Sequence, residues 1–181
     1  MLLAHDHSEL DELLAEFFRA LAAGNVAQSF AKLDLFWPRL AMHIRAEHLH
    51  LFPTLLHVLE SLGRTKEAAS RAPSLETAQN TIARLRDDHD FFMSEVAAAI
   101  KQLRQLCERT HQDKSSLVEN VREKIVAVSE RLEVHNEVEE SDVYPLVKVL
   151  LTPADCAALN EKMQKELSNL PARFSEQKGN L

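Results

Sequence analysis

The chain has 181 residues, of which 45% are hydrophobic and 27% charged, so we expect one folded domain with its own core, and disorder is excluded for most of the length. Glycine occurs 3 times and proline 6 times, which leaves few turns and makes an all-β fold very unfavourable. The net charge of −7 provides no basic surface for nucleic acid or anionic lipid, and no stretch reaches the roughly 18 apolar residues that cross a membrane.

Apolar residues recur at helical spacing along most of the chain, which predicts four long helices followed by a short one. Gly24-Asn25 separates the first two, residues 64–74 are predicted to be the longest loop, and THQDKSS at 110–116 is a polar turn. We assign residues 1–151 to the main body and residues 152–181 to a C-terminal helix and polar tail of the same domain. The predicted helices cover 3–23, 26–63, 75–109, 117–151 and a short segment that starts at Thr152-Pro153.

Two segments of the second and fourth predicted helices repeat one another. HIRAEHLHLFPTL begins at His43 and HNEVEESDVYPLV begins at His135, and each reads His, three residues, Glu, then an aromatic residue and a proline at equal offsets. Upstream of each segment lies a second histidine preceded by aspartate, in Asp6-His7 and Asp88-His89. The two halves therefore look like copies of one helical hairpin.

Residue counts place the histidines of each hairpin at equal heights. His7 lies 17 residues before the Gly24-Asn25 turn and His43 lies 18 after it, so the two imidazoles can face each other on antiparallel helices. The midpoint between His89 and His135 falls in the THQDKSS turn, which gives the same result for the second half.

The His-x-x-x-Glu spacing places an imidazole and a carboxylate on one helix face, where both can bind one metal ion. A single copy arises by chance, as His5 and Glu9 show, but two copies in matching frames indicate a site. Four imidazoles and two carboxylates suit two metal ions bridged by both carboxylates, with one open position on each for a small diatomic molecule or peroxide. Such mixed ligation favours two non-haem iron ions, with manganese or zinc as substitutes.

These motifs resemble the hemerythrin-like, or HHE cation-binding, domain family over roughly residues 3–151. The resemblance implies an up-down-up-down four-helix bundle, here with a short extra C-terminal helix, and a di-iron centre in its core. Carried over position by position, it implies bridging by both carboxylates and six metal ligands, which are His7, His43, Glu47, His89, His135 and Glu139.

Two departures separate the chain from the oxygen-carrying members of that family. Met93 stands where they have a second histidine on the third helix, and Glu139 lies four residues after its histidine where they have an aspartate at five. We expect Met93 to line the pocket without binding metal. His50 is expected on the ligand face, as a hydrogen-bonding neighbour of the ligands or as a spare ligand, and His48 at the rim.

Three functions remain open on these residues. The first is a di-iron protein that binds or senses oxygen, nitric oxide or peroxide, and the second is an iron-donating or iron-centre repair protein. The third is a metal-free structural bundle. The pattern favours binding or sensing over an enzyme, with a signal passed to a protein partner or a second copy of the chain. Cys107 and Cys156 are isolated and no basic leader is visible, so we expect a cytoplasmic location. We expect no binding to nucleic acid or membrane.

Overall fold

The computed structural model describes residues 3–62, 73–108 and 114–175, and over these ranges the chain is all-helical without a strand. This confirms the predicted all-α class. The chain folds in the order α1 (Ala4–Ala22), α2 (Val26–Ala46), the π-helical turn π1 (Glu47–Leu51), α3 (Phe52–Leu62), α4 (Leu75–Glu108), α5 (Lys114–Val138), the π-helical turn π2 (Glu139–Val143), α6 (Tyr144–Leu150), α7 (Pro153–Leu167) and α8 (Ala172–Ser175).

Local sequence explains where several helices begin and end. Gly24 adopts φ 70° between α1 and α2, a conformation that glycine reaches without a Cβ clash. Asn25, Ser74 and Thr152 cap the next helices, because each side-chain oxygen accepts a hydrogen bond from the amide three residues later, at 3.0, 3.0 and 3.2 Å. Pro153 then occupies the first turn of α7, where its missing N–H costs nothing.

The helix boundaries differ from the sequence prediction in detail. Helix α5 starts at Lys114, so the end of the predicted 110–116 turn is already helical. Most of the predicted 64–74 loop, the remainder of that turn and the end of the polar tail lie outside the described residues. The structure adds the short helix α8 after α7.

Each of the four long helices packs against two of the others, so that their contacts form a closed ring. Helix α1 contacts α2, α2 contacts α4, α4 contacts α5, and α5 contacts α1. Helix α7, the predicted extra C-terminal helix, packs against α2 and π1. No helix within the described ranges is both long and apolar enough to cross a membrane.

Two apolar clusters fill the interior, and a polar layer separates them. Along α1, Leu3 belongs to one cluster and Leu10 to the other, with His7 between them. Along α4, Leu85 and Phe92 flank His89 in the same way. The first cluster is built around Leu10, Phe17, Leu33, Phe36, Phe92, Val96, Leu103, Ile125 and Leu132, and the second around Leu3, Leu51, Phe52, Leu55, Leu85, Val143, Tyr144 and Val147.

Candidate metal centre

The polar layer contains all six residues that the sequence singled out as metal ligands. They come from four helical segments and are at most 3% exposed. Burying this many ionisable groups without compensation is costly, so their convergence demands a chemical explanation. The six are His7 on α1, His43 on α2, Glu47 at the start of π1, His89 on α4, His135 on α5 and Glu139 at the start of π2.

The histidines lie in two facing pairs. The ring centroids of His7 and His43 are 4.9 Å apart, and those of His89 and His135 are 4.7 Å apart. The Nε2 atoms of His89 and His135 approach to 3.1 Å. This pairing agrees with the equal residue counts on either side of each hairpin turn.

The Glu139 carboxylate reaches both histidine pairs. Its Oε2 lies 3.3 Å from His7 Nε2 and 4.0 Å from His43 Nε2. Its Oε1 lies 3.1 Å from His135 Nε2. One carboxylate therefore directs one oxygen to each pair, the arrangement that a bridging ligand requires.

Glu47 repeats this arrangement from the opposite half. Its Oε1 lies 3.6 Å from His43 Nε2, and its Oε2 lies 3.2 Å from His89 Nε2. The two carboxylates thus lie between the histidine pairs, and each imidazole directs its Nε2 inward.

The outer nitrogen of two histidines is held by an aspartate from the neighbouring helix. His43 Nδ1 donates to Asp6 Oδ2 at 2.8 Å, and His135 Nδ1 donates to Asp88 Oδ2 at 3.2 Å. Such carboxylate partners fix the ring orientation and tautomer of metal-binding histidines. The aspartate that precedes each ligand histidine in the Asp-His dipeptides is therefore the partner of the facing histidine.

The other two histidines have outer partners as well, and one of these is His48, which the sequence predicted at the rim. His7 Nδ1 donates to Glu140 Oε1 at 2.9 Å, and His89 Nδ1 shares a hydrogen bond of 2.9 Å with His48 Nε2. Glu140 and His48 are equivalent in the repeat, since each directly follows its carboxylate. In both halves the residue after the carboxylate contacts the Nδ1 atom of a ligand histidine. This residue is a glutamate in one half and a histidine in the other.

His50 lies elsewhere than expected. Its Nε2 is 3.5 Å from Glu166 Oε1 on α7, while His48 takes the contact with the ligand layer. The expectation assumed α-helical spacing beyond Glu47, but π1 begins there and holds an extra residue in its turn. The side chains after Glu47 are rotated relative to an uninterrupted α-helix, so the prediction for His50 is corrected to His48.

Both π-helical turns begin at a carboxylate of the layer and end just before a proline. The Phe52 N–H donates to the Glu47 carbonyl, and the Tyr144 N–H donates to the Glu139 carbonyl, which closes each wide turn. The prolines that follow have no N–H and their rings clash with the carbonyl four residues before, which favours a locally widened helix. Helix α2 runs through Pro38 without such a turn.

Two arginines that sequence reasoning missed hold the aspartates. Arg131 Nη2 lies 2.6 Å from Asp88 Oδ1, and Arg39 Nη2 lies 3.7 Å from Asp6 Oδ1. Arg39 also pairs with Glu9. Each arginine lies four residues before a ligand histidine, so extending the internal repeat upstream would have found both.

The hydrogen-bond pattern leaves the centre rich in acceptors. A carboxylate only accepts, so His7, His43 and His135 carry a proton on Nδ1, and in the neutral form of each ring the Nε2 lone pair points inward. Glu47 Oε2 and Glu139 Oε1 are buried without a hydrogen-bond partner, although each lies near an Nε2. In these pairs an imidazole lone pair faces a carboxylate oxygen with no hydrogen between them. Only a bound cation or additional protons can remove the resulting repulsion. The donor set therefore fits metal ions.

Shifted pKa values show how protons substitute for such a cation. Burial lowers the pKa of His43, but Glu47, Asp6 and Glu139 outweigh burial and raise it well above the usual range. Burial and the Glu139 charge raise the pKa of Glu47. Burial opposes ionisation of Glu139 as well, but its histidine neighbours lower its pKa. Burial and the nearby imidazoles lower the pKa of His89 to about 2, so that ring is neutral.

Tyr144 belongs to the second apolar cluster and also contacts the polar layer. Its hydroxyl donates to Glu139 Oε2 at 2.9 Å and lies 3.4 Å from Glu47 Oε1. The same oxygen is 3.1 Å from His7 Nε2. Burial and the two carboxylates raise the pKa of the phenol well above its usual value.

Met93 lies on α4, the helix that carries the ligand candidate His89. Met93 lies one turn beyond His89, half-buried against the first cluster, and its carbonyl accepts a hydrogen bond from Trp37 at 3.4 Å.

A cleft of about 780 Å³ between α1 and α5 reaches the edge of His7 and is rimmed by Glu140 and other acidic side chains. Solvent and small solutes can approach one side of the layer through it.

Comparisons with family models, curated proteins and solved structures find no match for this chain. The ligand atoms fall into two groups in which all atoms lie within 4.8 Å of one another, and Glu139 belongs to both. The groups are Glu47, His89, His135 and Glu139, and His7, His43 and Glu139. These buried groups can hold metal ions.

Proposed function

We propose that this chain is a hemerythrin-like protein, with an up-down-up-down four-helix bundle built around a non-haem di-iron centre. The closed order of contacts among α1, α2, α4 and α5 supports the bundle. The short hairpin turn at Gly24 makes α1 and α2 antiparallel neighbours, as that topology requires.

The observation that carries the proposal is the pair of buried ligand groups sharing Glu139. One metal ion is held by His7 and His43, and the other by His89 and His135. Glu47 and Glu139 bridge them, because each carboxylate directs one oxygen to each histidine pair. The two positions are equivalent in the internal repeat, so two ions fit the site better than one.

Imidazole and carboxylate ligands in this ratio favour iron, with manganese or zinc as substitutes. Bound iron would supply binding and electron transfer to oxygen, nitric oxide or peroxide. The protein's contribution is to orient the imidazoles through their Nδ1 partners and to exclude bulk water by two apolar clusters. We therefore propose a binding or sensing role for a small ligand of this kind, communicated to a protein partner or a second copy of the chain.

The test is metal analysis and absorption spectroscopy of protein purified without oxygen from iron-supplied cells. We expect two iron ions per chain and a spectrum that changes on addition of oxygen or nitric oxide. The variant His5→Ala is a matched control, because His5 and Glu9 form the same His-x-x-x-Glu spacing on the surface, with Nε2 and Oε1 3.9 Å apart. Its metal content should equal that of the wild type.

One metal ion or none per chain would contradict the dinuclear assignment. The alternative role, iron donation for repair, makes a different prediction from sensing. A donor should lose its iron to an iron-depleted iron–sulfur protein within the same preparation, whereas a sensor should retain its iron and respond only to the small ligand.

A further inference from the structure

The Tyr144 hydroxyl occupies a place in the ligand layer that the six-residue set does not explain. Tyr144 is the first residue of α6, directly after π2, and is 1% exposed. Its oxygen lies 2.9 Å from Glu139 Oε2, 3.1 Å from His7 Nε2 and 3.4 Å from Glu47 Oε1. These three atoms belong to three different helical elements, and the proposed function assigns all of them to one metal ion.

The spacing is that of ligands around a common ion. Atoms bound at adjacent vertices of an octahedron, each about 2.1 Å from the metal, lie about 3.0 Å apart. The three distances from the Tyr144 oxygen bracket that value. The distances from the phenol oxygen therefore match both hydrogen bonds to these atoms and a vertex of a coordination shell shared with them.

We propose that Tyr144 is a seventh protein ligand, bound as phenolate to the ion held by His7 and His43; this inference rests on the proposed function. On binding, the phenol O–H bond breaks and an oxygen–metal bond forms, and the proton leaves to solvent. No oxidant or reductant is involved. The carboxylates that accept the phenol's hydrogen bond in the metal-free protein are then free to bind the ions.

Only one half of the internal repeat has a hydroxyl at this position. Phe52 follows Glu47 at the same offset at which Tyr144 follows Glu139. The Phe52 ring stacks on His89, with centroids 6.2 Å apart and planes at 15°, as Tyr144 stacks on His7 at 5.8 Å and 28°. At this position the two halves thus differ by a single hydroxyl. The ion held by His89 and His135 has one protein ligand fewer, and the vacant position for an external ligand lies on that ion.

Assignment is simple because Tyr144 is the only tyrosine of the chain. We would load the wild type and Tyr144→Phe with iron, oxidise both to iron(III), and record visible absorption and resonance Raman spectra. We expect a phenolate-to-iron(III) charge-transfer band and enhanced tyrosinate vibrations in the wild type, and complete loss of both in Tyr144→Phe. Loading with colourless zinc gives a second readout, an ultraviolet difference spectrum of tyrosinate formation in the wild type alone.

Tyr144→Phe matches the natural residue of the other half, so it should fold and still bind two ions. A wild type that binds two ions without any tyrosinate signal would overturn the Tyr144 assignment and leave the proposed function standing. A wild type that binds no ion would overturn both. A tyrosinate-type band that persists in Tyr144→Phe would show that the signal has another origin, and would also overturn the assignment.

Discussion

Replacing Glu139 by alanine removes the one residue that belongs to both ligand groups. We expect Glu139→Ala to remain folded, because the apolar clusters on either side of the layer are unchanged, and to bind fewer than two ions. Glu139→Gln tests the same point with the side-chain volume retained. The matched control is Glu130→Ala, which replaces an exposed glutamate on α5, the helix that leads into π2; it should bind metal as the wild type does.

The magnitude follows from binding linkage. Free metal at about 100 times Kd stabilises the folded state by about 2.7 kcal/mol for each site, so two sites contribute about 5 kcal/mol. In a domain of this size 1 kcal/mol moves Tm by about 2–4 °C, so metal should raise the wild-type Tm by roughly 10–20 °C. Loss of a bridge from both sites should remove most of that rise in Glu139→Ala.

In the metal-free protein the same substitution is also destabilising. The Glu139 carboxylate compensates His43, His135 and His7, which lower its pKa against the cost of burial. Removing one partner from a buried ionic group costs about 3–5 kcal/mol. Circular dichroism melts with and without metal, together with elemental analysis, separate the two effects. A variant that keeps two ions per chain and the full metal-dependent rise in Tm would refute the bridging assignment.

Three further predictions follow from the surroundings of the ligands. Asp88→Ala removes the acceptor of one ligand's Nδ1 and should weaken metal binding about 10–100-fold in chelator competition, whereas the exposed neighbour Asp87→Ala should leave it unchanged. Metal affinity should fall as pH is lowered, because the raised pKa values of His43 and Glu47 favour their protonated forms in the metal-free protein and bound metal must displace those protons. Proton release measured during a metal titration checks this, and a pH-independent affinity would contradict it. Met93→His adds an imidazole one turn beyond His89 and should slow oxidation of the iron-loaded protein by oxygen, measured by stopped-flow absorbance. An unchanged rate would mean that residue 93 does not reach the ion held by His89 and His135.

Much of the architecture follows from local sequence, because helices and their caps depend on residues close together in the chain. The apolar periodicity, the Gly24-Asn25 stop and the Thr152-Pro153 start predict helix boundaries that the structure shows at those positions. The repeated His-x-x-x-Glu segments and the equal residue counts to each hairpin turn bring the six ligand candidates to one height. An internal repeat carries this information because both copies must satisfy the same geometry.

Contacts between distant segments were decided only by the tertiary structure. Tyr144 meets His7 across 137 residues, and nothing near Tyr144 in the sequence distinguishes a hydroxyl in the centre from one in the core. His48 contacts the ligand layer in place of His50 because π1 changes the spacing of side chains after Glu47. Helical periodicity assumes a constant spacing and therefore does not predict this change. Hydrogen bonds and coordination shells depend on atomic positions within a few tenths of an ångström. The sequence therefore determined which side chains share a layer, and packing of the helices determined which atoms in that layer face one another.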